Sequence, residues 1–299
     1  MDRFQLLSVY VAVAEEQGFA AAARRLSMSP PAVTRCVAAL EEHLGVKLLQ
    51  RSTRHVRVTE AGIRYLEDAK RILQDIEDAD DNAAGINAAP KGRLNITAPV
   101  LFGRKYVMPG VVDYLNQYPD TEVSVMFVDR VVNLLEEGMD VGIRIGRLPD
   151  SSMRALRVGA VRIILCASPG YLKKHGIPRD PDDLKQHRMI ASRAGNLVTD
   201  LRFRTKNRER QISIKARLNT NTNDAAIEAA LRSYGITRLL SYQIADHLAQ
   251  GTLKTVLDDW QPEPLPIHIL HREGRHAASH VRAFIDLIAE RLRADTALN

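Results

Sequence analysis

The chain is poor in cysteine and in aromatic residues. It has 2 cysteines and 1 tryptophan among 299 residues, and aromatic residues make up 5%. Cys36 and Cys166 fall in what we predict below to be different domains, so a structural disulfide between them is not expected. Lone cysteines are mostly small buried hydrophobic residues, and a redox role is the alternative for each of them.

Long hydrophobic runs are also missing. No apolar stretch reaches the roughly 20 residues that span a bilayer, and the first residues lack the apolar segment of a secretion signal. We therefore expect a cytoplasmic protein with no membrane partner. Lysine and arginine number 42 against 36 acidic residues, and the resulting net charge of +6 is compatible with a polyanionic partner.

The first sixty residues have the pattern of a helix-turn-helix. A helix with an apolar face is predicted over residues 19–26, and a second one begins at Pro30. Ser29 is a residue type that caps helices, and proline at the first helical position loses no hydrogen bond. Gly45 supplies a left-handed stop. The second helix should bury Val33, Val37, Leu40 and Leu44 as one stripe, and should leave Thr34, Arg35, Ala38 and Glu41 facing outward.

The start of this second helix is a candidate DNA-reading surface, because recognition helices contact base edges in the major groove with their N-terminal residues. The candidate contacts are Ser29, Pro30, Pro31, Thr34 and Arg35. Arg35 can make a bidentate contact to guanine, worth about 1 to 3 kcal/mol of discrimination, whereas the prolines can offer only apolar contact to a thymine methyl group. The alternative is that Arg35 is an ordinary solvated helix residue.

A basic stretch follows the helix. Residues 46–58 contain no aspartate or glutamate and carry Lys47, Arg51, Arg54, His55 and Arg57. Apolar residues on either side of the polar segment 50–55 predict two short strands joined by a loop, which would form a wing beside the recognition helix. We expect the wing arginines to contact phosphates and so to add affinity rather than sequence information. A solvated basic loop is the alternative.

A heptad pattern of apolar residues runs from Gly62 to Ile86, which is typical of a coiled coil. The positions predicted to contact a second subunit are Tyr65, Ala69, Ile72, Ile76, Ala79 and Ala83. Paired helices would present two DNA-reading domains to a roughly palindromic site. A helix that lies on its own domain is the alternative.

Beyond residues 87–92 the helical pattern stops, and strand-like runs alternate with helical ones. We predict strands over 93–98, 122–128, 141–145, 162–167, 239–241 and 267–270. Helices are predicted over 105–117, 133–137, 224–234, 242–250 and 280–293. This alternation predicts an α/β fold with open sheets.

Ligands of open α/β sheets sit beyond the carboxyl ends of strands, near helix N-termini. The candidate effector-binding residues at such places are Pro99, Val100, Leu101, Phe102, Arg144, Arg147, Ser192, Asn221 and Asn223. The two arginines favour a small organic anion as the ligand. As alternatives, Arg144 pairs with Asp140 in the core, and Asn221 or Asn223 only caps a helix.

A metalloenzyme is the competing class, because His268, His271, His276 and His280 gather late in the chain. However, no glutamate follows His276 as in metallohydrolases, no paired cysteine is near, and neighbouring arginines would repel a cation. The chain also lacks a nucleophile-elbow serine. We therefore expect that the protein is not an enzyme and that it binds no metal and no cofactor. A transport-type solute-binding protein is the other rival, but it would have no use for a DNA-reading domain.

The motifs Phe19-Ala20-Ala21-Ala22-Ala23-Arg24-Arg25-Leu26, Leu44-Gly45-Val46-Lys47-Leu48 and Thr59-Glu60-Ala61-Gly62 strongly resemble the LysR-type transcriptional regulators. The motifs Ile96-Thr97-Ala98-Pro99, Gly142-Ile143-Arg144-Ile145-Gly146 and Ala167-Ser168-Pro169-Gly170-Tyr171-Leu172 look like landmarks of that family's effector-binding domain. In the family, the positions that match Pro30, Pro31, Thr34, Arg35 and the wing arginines face DNA.

The resemblance implies three parts: an all-α winged helix-turn-helix domain over 1–60, a linker and dimerisation helix over 61–89, and an effector-binding domain over 90–299. The last part would resemble type 2 periplasmic binding proteins, with lobe I at 92–161 and 266–299 and lobe II at 162–265. The implied function is a dimeric or tetrameric regulator that binds double-stranded promoter DNA and a small metabolite. RNA polymerase is a further candidate partner.

Overall fold

The computed structural model describes residues 2–51, 56–84, 89–148, 153–192, 198–205, 209–271 and 278–298. The chain divides into two compact units, Met1–Ala88 and Ala89–Asn299. Across the described ranges, no helix combines the length and the apolar character needed to cross a bilayer.

The N-terminal unit is a small helical domain with a two-stranded wing. Its elements are α1 (Arg3–Glu16), α2 (Phe19–Arg25), α3 (Pro30–Leu44), β1 (Leu49–Arg51), β2 (Val56–Val58) and α4 (Glu60–Ala84). Helix α1 is apolar on nearly every side and is enclosed by the other three helices, with Val9, Tyr10 and Val13 almost completely buried. Strands β1 and β2 pair antiparallel.

Helix α3 begins and ends at the residues that the sequence predicts. It starts at Pro30, and Gly45 ends it with a left-handed φ of 66°. One detail of the predicted cap is wrong, because the side chain of Ser29 makes no capping hydrogen bond. The backbone carbonyl of Ser29 accepts hydrogen bonds from the N–H groups of Ala32 and Val33 at 2.9 and 3.1 Å instead.

The first part of α4 lies on its own domain. Ala69 is completely buried in the same subunit, and the Tyr65 ring lies 5.8 Å from the Tyr10 ring. The Tyr10 hydroxyl donates to the Gly62 carbonyl at 2.8 Å. The prediction of Ala69 as a contact to a second subunit is therefore wrong, and Tyr65 is already partly occupied within its subunit. The heptad pattern misleads here because its first two turns lie on the face of α4 that packs against the core of its own domain.

The C-terminal unit has twelve strands in its described part. They are β3 (Gly92–Ala98), β4 (Thr121–Phe127), β5 (Val141–Ile145), β6 (Arg154–Val161), β7 (Ile163–Ala167), β8 (Met189–Ala191), β9 (Val198–Arg204), β10 (Glu209–Lys215), β11 (Leu218–Asn219), β12 (Ile236–Leu240), β13 (Lys254–Val256) and β14 (Leu265–His271). The helices are α5 (Val100–Phe102), α6 (Met108–Gln117), α7 (Pro169–His175), α8 (Asn223–Leu231), α9 (Ala245–Ala249) and α10 (Ser279–Ala294), with a π-helical segment at Gly103–Val107 between α5 and α6.

These strands form two five-stranded sheets and a hairpin. The first sheet, with strand order β4-β3-β5-β14-β6, defines lobe I, and the second, with order β11-β8-β12-β7-β13, defines lobe II. The chain leaves lobe I after β6 and returns with β14, which pairs antiparallel with both β5 and β6. The hairpin β9-β10 packs its apolar side chains onto the core of lobe II. The predicted α/β architecture is thereby confirmed.

Several predicted elements differ from the structure. Residues 133–137 form turns rather than a helix, and the helix predicted over 242–250 is a 3-10 turn, Ser241–Gln243, followed by the short α9. The hairpin β9-β10 was missed altogether. Its strands carry many charges and have an apolar residue only at every second position. They therefore do not stand out as strand-like runs in the sequence.

Candidate DNA-binding and effector-binding sites

The start of α3 is open to solvent. Ser29, Pro30, Pro31 and Arg35 are exposed, and Thr34 is half-buried. Within the described ranges, the Arg35 side chain has no hydrogen-bond or ion-pair partner. The guanidinium group is thus available to an external acceptor, as the sequence predicts.

The wing is basic, but only part of it is described. Arg57 is exposed on β2 and stands opposite Gln50 of β1. At the outer end of the two strands, Arg51 stands opposite Val56 in the backbone register. Arg54 and His55 lie outside the described residues.

Glu41 contradicts its predicted position on the outward face of α3. It is only 4% exposed. Its Oε1 accepts hydrogen bonds from the backbone N–H groups of Leu48 and Leu49 at 3.0 and 3.1 Å, and its Oε2 accepts one from Lys47 Nζ at 2.7 Å. A single carboxylate therefore joins the recognition helix to the first strand of the wing.

Hydrogen bonding also decides the ionisation of Glu41. Burial by itself would raise the pKa of this carboxyl group, but the hydrogen bonds from Lys47 and from the backbone of Leu49 and Leu48 outweigh it, so the pKa lies below the ordinary value of 4.5. The same contact partly neutralises Lys47, which is therefore a poorer phosphate ligand than its place in the basic stretch suggests.

The C-terminal unit contains a mostly apolar cavity of about 380 Å³ in lobe II, which reaches the crossover residue Leu265. Two predicted effector residues, Ser192 and Asn223, line it. Asp200, Arg238 and Gln243 are its other polar residues, and its apolar wall is formed by Ile163, Met189, Ile190, Ala191, Leu201, Ile214, Ala216, Leu239, Leu240 and Leu265. The Asp200 carboxylate already accepts a hydrogen bond from the Ser213 hydroxyl.

The segment after the first strand of lobe I does not line this cavity. Phe102 is completely buried and stacks on Tyr106 at 4.9 Å, with Tyr242 edge-on at 5.3 Å. The backbone N–H of Val100, next to Pro99, donates to the Asp129 carboxylate at 3.0 Å. Leu101 lines a separate cavity of about 310 Å³. This segment therefore serves mainly the core, and its helix start is already occupied by an acid of the same chain.

The remaining predicted effector residues are also dispersed. Arg144 is half-buried, and burial lowers its pKa. Its Nη1 donates to the carbonyl of Ile143 at 2.9 Å, while its buried Nη2 has no partner. Arg147 is 86% exposed and contacts Glu263 at 3.3 Å. Asn221 is exposed. Arg144, Arg147 and Asn221 are not among the residues that line the lobe II cavity.

The competing metalloenzyme and redox hypotheses depend on the late histidines and on the two cysteines. His280 is buried on α10, and His276 lies outside the described residues. Where the chain is described, no three histidine, cysteine or acidic side chains are placed to hold a metal ion. Cys36 and Cys166 are both buried, and burial raises the pKa of Cys166 to about 12, so this thiol is protonated near neutral pH.

A winged helix-turn-helix domain with a free recognition surface, followed by a two-lobed α/β domain with cavities, defines a DNA-binding transcriptional regulator that carries a ligand-sensing domain. Two family profiles agree with this class. One, described as a bacterial regulatory helix-turn-helix protein of the lysR family, matches residues 4–63, and the other, described as the LysR substrate binding domain, matches residues 87–293. The chain belongs to the LysR family of transcriptional regulators.

Individual relatives resemble the chain over nearly its whole length. It is 32% identical to an uncharacterized HTH-type transcriptional regulator of Haemophilus influenzae, across 92% of this chain and 96% of that one. Its fold is similar to the full-length virulence activator AphB of Vibrio cholerae, with a TM-score of 0.62, 26% identity, and coverage of 97% and 99% of the two chains. CrgA, a LysR-type regulator of Neisseria meningitidis, has a TM-score of 0.61, 29% identity, and coverage of 96% and 98%.

Proposed function

We propose that the protein reads promoter DNA with the start of α3, anchors the wing on phosphates, and responds to a small organic ligand bound in the cavity of lobe II. The observation that carries this proposal is the exposed Arg35 near the start of a recognition helix, whose side chain has no partner among the described residues. On this proposal residues 1–60 bind DNA, 61–89 pair two subunits, and 90–299 sense the ligand. The protein acts by binding and makes no bond, as its regulator relatives suggest.

The base-reading residues in this proposal are Ser29, Pro30, Pro31, Thr34 and Arg35, and the phosphate contacts are Arg51, Arg54 and Arg57. Lys47 is left out because Glu41 engages it. Base contacts specify the sequence, whereas phosphate contacts position the domain. The two groups should therefore respond differently to substitution.

Removing a phosphate contact should weaken binding to every DNA sequence. We expect Arg57→Ala to lower affinity for promoter and random DNA alike, and to reduce the slope of log affinity against log salt by about 0.9, the contribution of one phosphate contact. Mobility-shift titrations at several salt concentrations measure both quantities. Arg71→Ala removes the same charge from the exposed side of α4 and should leave the slope unchanged. An unaltered slope for Arg57→Ala would take Arg57 out of the DNA interface.

The exposed part of α4 supports pairing with a second copy of the chain. Ile72 and Ile76 are 42% and 38% exposed and stand one helical turn apart, and Ala79 follows them on the surface. Ala83 completes the proposed stripe, but its side chain is outside the described set. Apolar residues repeated at this spacing favour a helix pair, and two or four copies would present paired DNA-reading domains.

The cellular setting follows from the proposed activity. Bacterial promoter DNA lies in the cytoplasm, so we place the protein there. A regulator bound beside a promoter meets RNA polymerase, which is our proposed protein partner.

The ligand proposal rests on the character of the lobe II cavity. A volume of about 380 Å³ with a mainly apolar wall and a few polar groups suits a small organic molecule. Asn223 and Ser192 offer hydrogen bonds, and Arg238 is the basic residue of the lining. We therefore propose a small organic acid whose apolar body fills the cavity and whose carboxylate faces Arg238.

A matched pair of asparagines tests this site. Screening small organic acids by thermal shift should find one that stabilises the wild-type protein, by about 2.7 kcal/mol at a hundredfold excess over Kd. Asn223→Leu should abolish the stabilisation because Asn223 lines the cavity. Asn221→Leu, two residues earlier and exposed, should retain it. Equal loss in both variants would place the ligand elsewhere. If no organic acid stabilises the wild-type protein, the proposed ligand class is wrong.

A further inference from the structure

A second, larger cavity adjoins the proposed effector site and shares Ile163 and Leu265 with its lining. It has a volume of about 800 Å³ and is lined by five arginines and two glutamates, which gives its described lining an excess of three positive charges. The arginines are Arg147, Arg157, Arg202, Arg204 and Arg210. Its lining includes the crossover prolines Pro262, Pro264 and Pro266, whose fixed φ angles restrict the backbone there.

Three of these arginines already have acidic partners. Glu263 contacts Arg147 at 3.3 Å and Arg204 at 2.5 Å. Arg210 is held by two aspartates outside the cavity, Asp180 at 3.1 Å and Asp182 at 2.6 Å. The second glutamate of the lining, Glu209, contacts Arg204 at 3.6 Å, so the acidic residues named here are all paired.

The other two arginines have no such partner. Among the residues described, neither Arg157 nor Arg202 has a hydrogen-bond or ion-pair partner for its side chain, and both are exposed. A guanidinium group offers five donors in a planar fork that matches carboxylate and phosphate groups. Two unpaired forks at one cavity with a positive excess are arranged to receive an anion.

The two unpaired arginines come from different lobes. Arg157 is on β6 of lobe I, directly beside His268 of β14. Arg202 is on β9, between Leu201 and Phe203, which are buried in the core of lobe II. Phe203 also lines the cavity. An anion held by both would connect the lobes and favour the arrangement that brings them together.

We propose that this cavity binds a small polyanion, a phosphate ester or a polycarboxylate, which Arg157 and Arg202 hold from the two lobes. Its lining differs from that of the adjoining lobe II cavity, which has a single arginine and a mainly apolar wall. The regulator would thus bind a second ligand, in addition to the organic acid proposed for the lobe II cavity.

Calorimetric titration of the full-length protein at fixed ionic strength tests the site, with inorganic pyrophosphate and citrate as probes. We expect at least one probe to bind the wild-type protein, and the double variant Arg157→Gln/Arg202→Gln to weaken that binding at least tenfold. The matched control is Arg154→Gln/Arg217→Gln, which removes the same charge from exposed positions outside the cavity. Because all four side chains are exposed, we expect both variants to fold, and thermal melts check this.

Each outcome decides the proposal. Binding of pyrophosphate alone supports a phosphorylated ligand, and binding of citrate alone supports a polycarboxylate. Failure of both probes to bind, or an equal loss in the control variant, overturns the proposal. Asn223→Leu should leave the binding unchanged, and loss of binding in that variant would assign the anion to the lobe II cavity instead.

Discussion

Replacing Arg35 with alanine is expected to weaken binding to the promoter site by about 1 to 3 kcal/mol, the value of a bidentate contact to guanine. Affinity for random DNA should change much less, because phosphate contacts dominate non-specific binding. The expectation depends on two features of Arg35: it is exposed on the second turn of α3, and no neighbour in the described part of the chain engages its guanidinium group.

Arg35→Lys separates the charge from the geometry of the contact. Lysine keeps the positive charge but lacks the planar fork, so the variant should retain random-DNA binding and still lose discrimination. Mobility-shift titrations with promoter and random duplexes at one salt concentration measure both affinities. Equal losses on the two duplexes for Arg35→Ala would remove this residue from base reading.

Replacing Glu41 with alanine should lower the free energy of unfolding of the N-terminal domain by about 3 kcal/mol. The substitution leaves the N–H groups of Leu48 and Leu49 without their acceptor, and an unsatisfied buried donor costs about 1 to 3 kcal/mol. Because these groups begin the wing, promoter binding should weaken as well. Chemical denaturation followed by circular dichroism measures the stability.

The control for this substitution is the adjacent Glu42, which is exposed. Glu42→Ala should change stability by less than about 0.5 kcal/mol, as is usual at the surface. An equal effect of the two substitutions would contradict the proposed tie between α3 and the wing.

Glu41 also predicts a pH dependence. Its pKa in the folded protein lies below the unfolded value of 4.5, so its contribution is complete above the unfolded pKa and is lost as the pH falls through the folded pKa. Glu41→Gln keeps one acceptor oxygen but has no charge to titrate. Its loss of stability on acidification should therefore be smaller than that of the wild-type protein.

The N-terminal domain was largely predictable because its signals are local. Pro30 and Gly45 mark the two ends of α3, and the structure places the helix between them. The place of Glu41 was not predictable in this way, since its partners Leu48 and Leu49 lie beyond the helix stop, where the chain has turned back. The periodicity of apolar residues indicates which face of a helix is buried in the core. It does not show which other positions a later strand covers.

The effector-binding domain was predictable as a fold but not as a site. The alternation of strand-like and helical runs indicated open sheets, and the two sheets are present. Of the residues predicted at strand ends, Phe102 is a core residue and Arg147 lines the larger cavity. The missed hairpin supplies walls to both the 380 and the 800 Å³ cavities.

By itself the sequence determined the winged helix-turn-helix, the basic wing and the α/β class, because each depends on neighbours a few residues apart. Only the tertiary structure decided which side chains share a cavity and which charges are already paired. Arg157 and Arg202 line one cavity although 44 residues separate them along the chain, and Glu41 is buried although its helix position looked exposed. Both outcomes depend on contacts between different segments of the chain. The spacing of residues within one segment does not reveal such contacts.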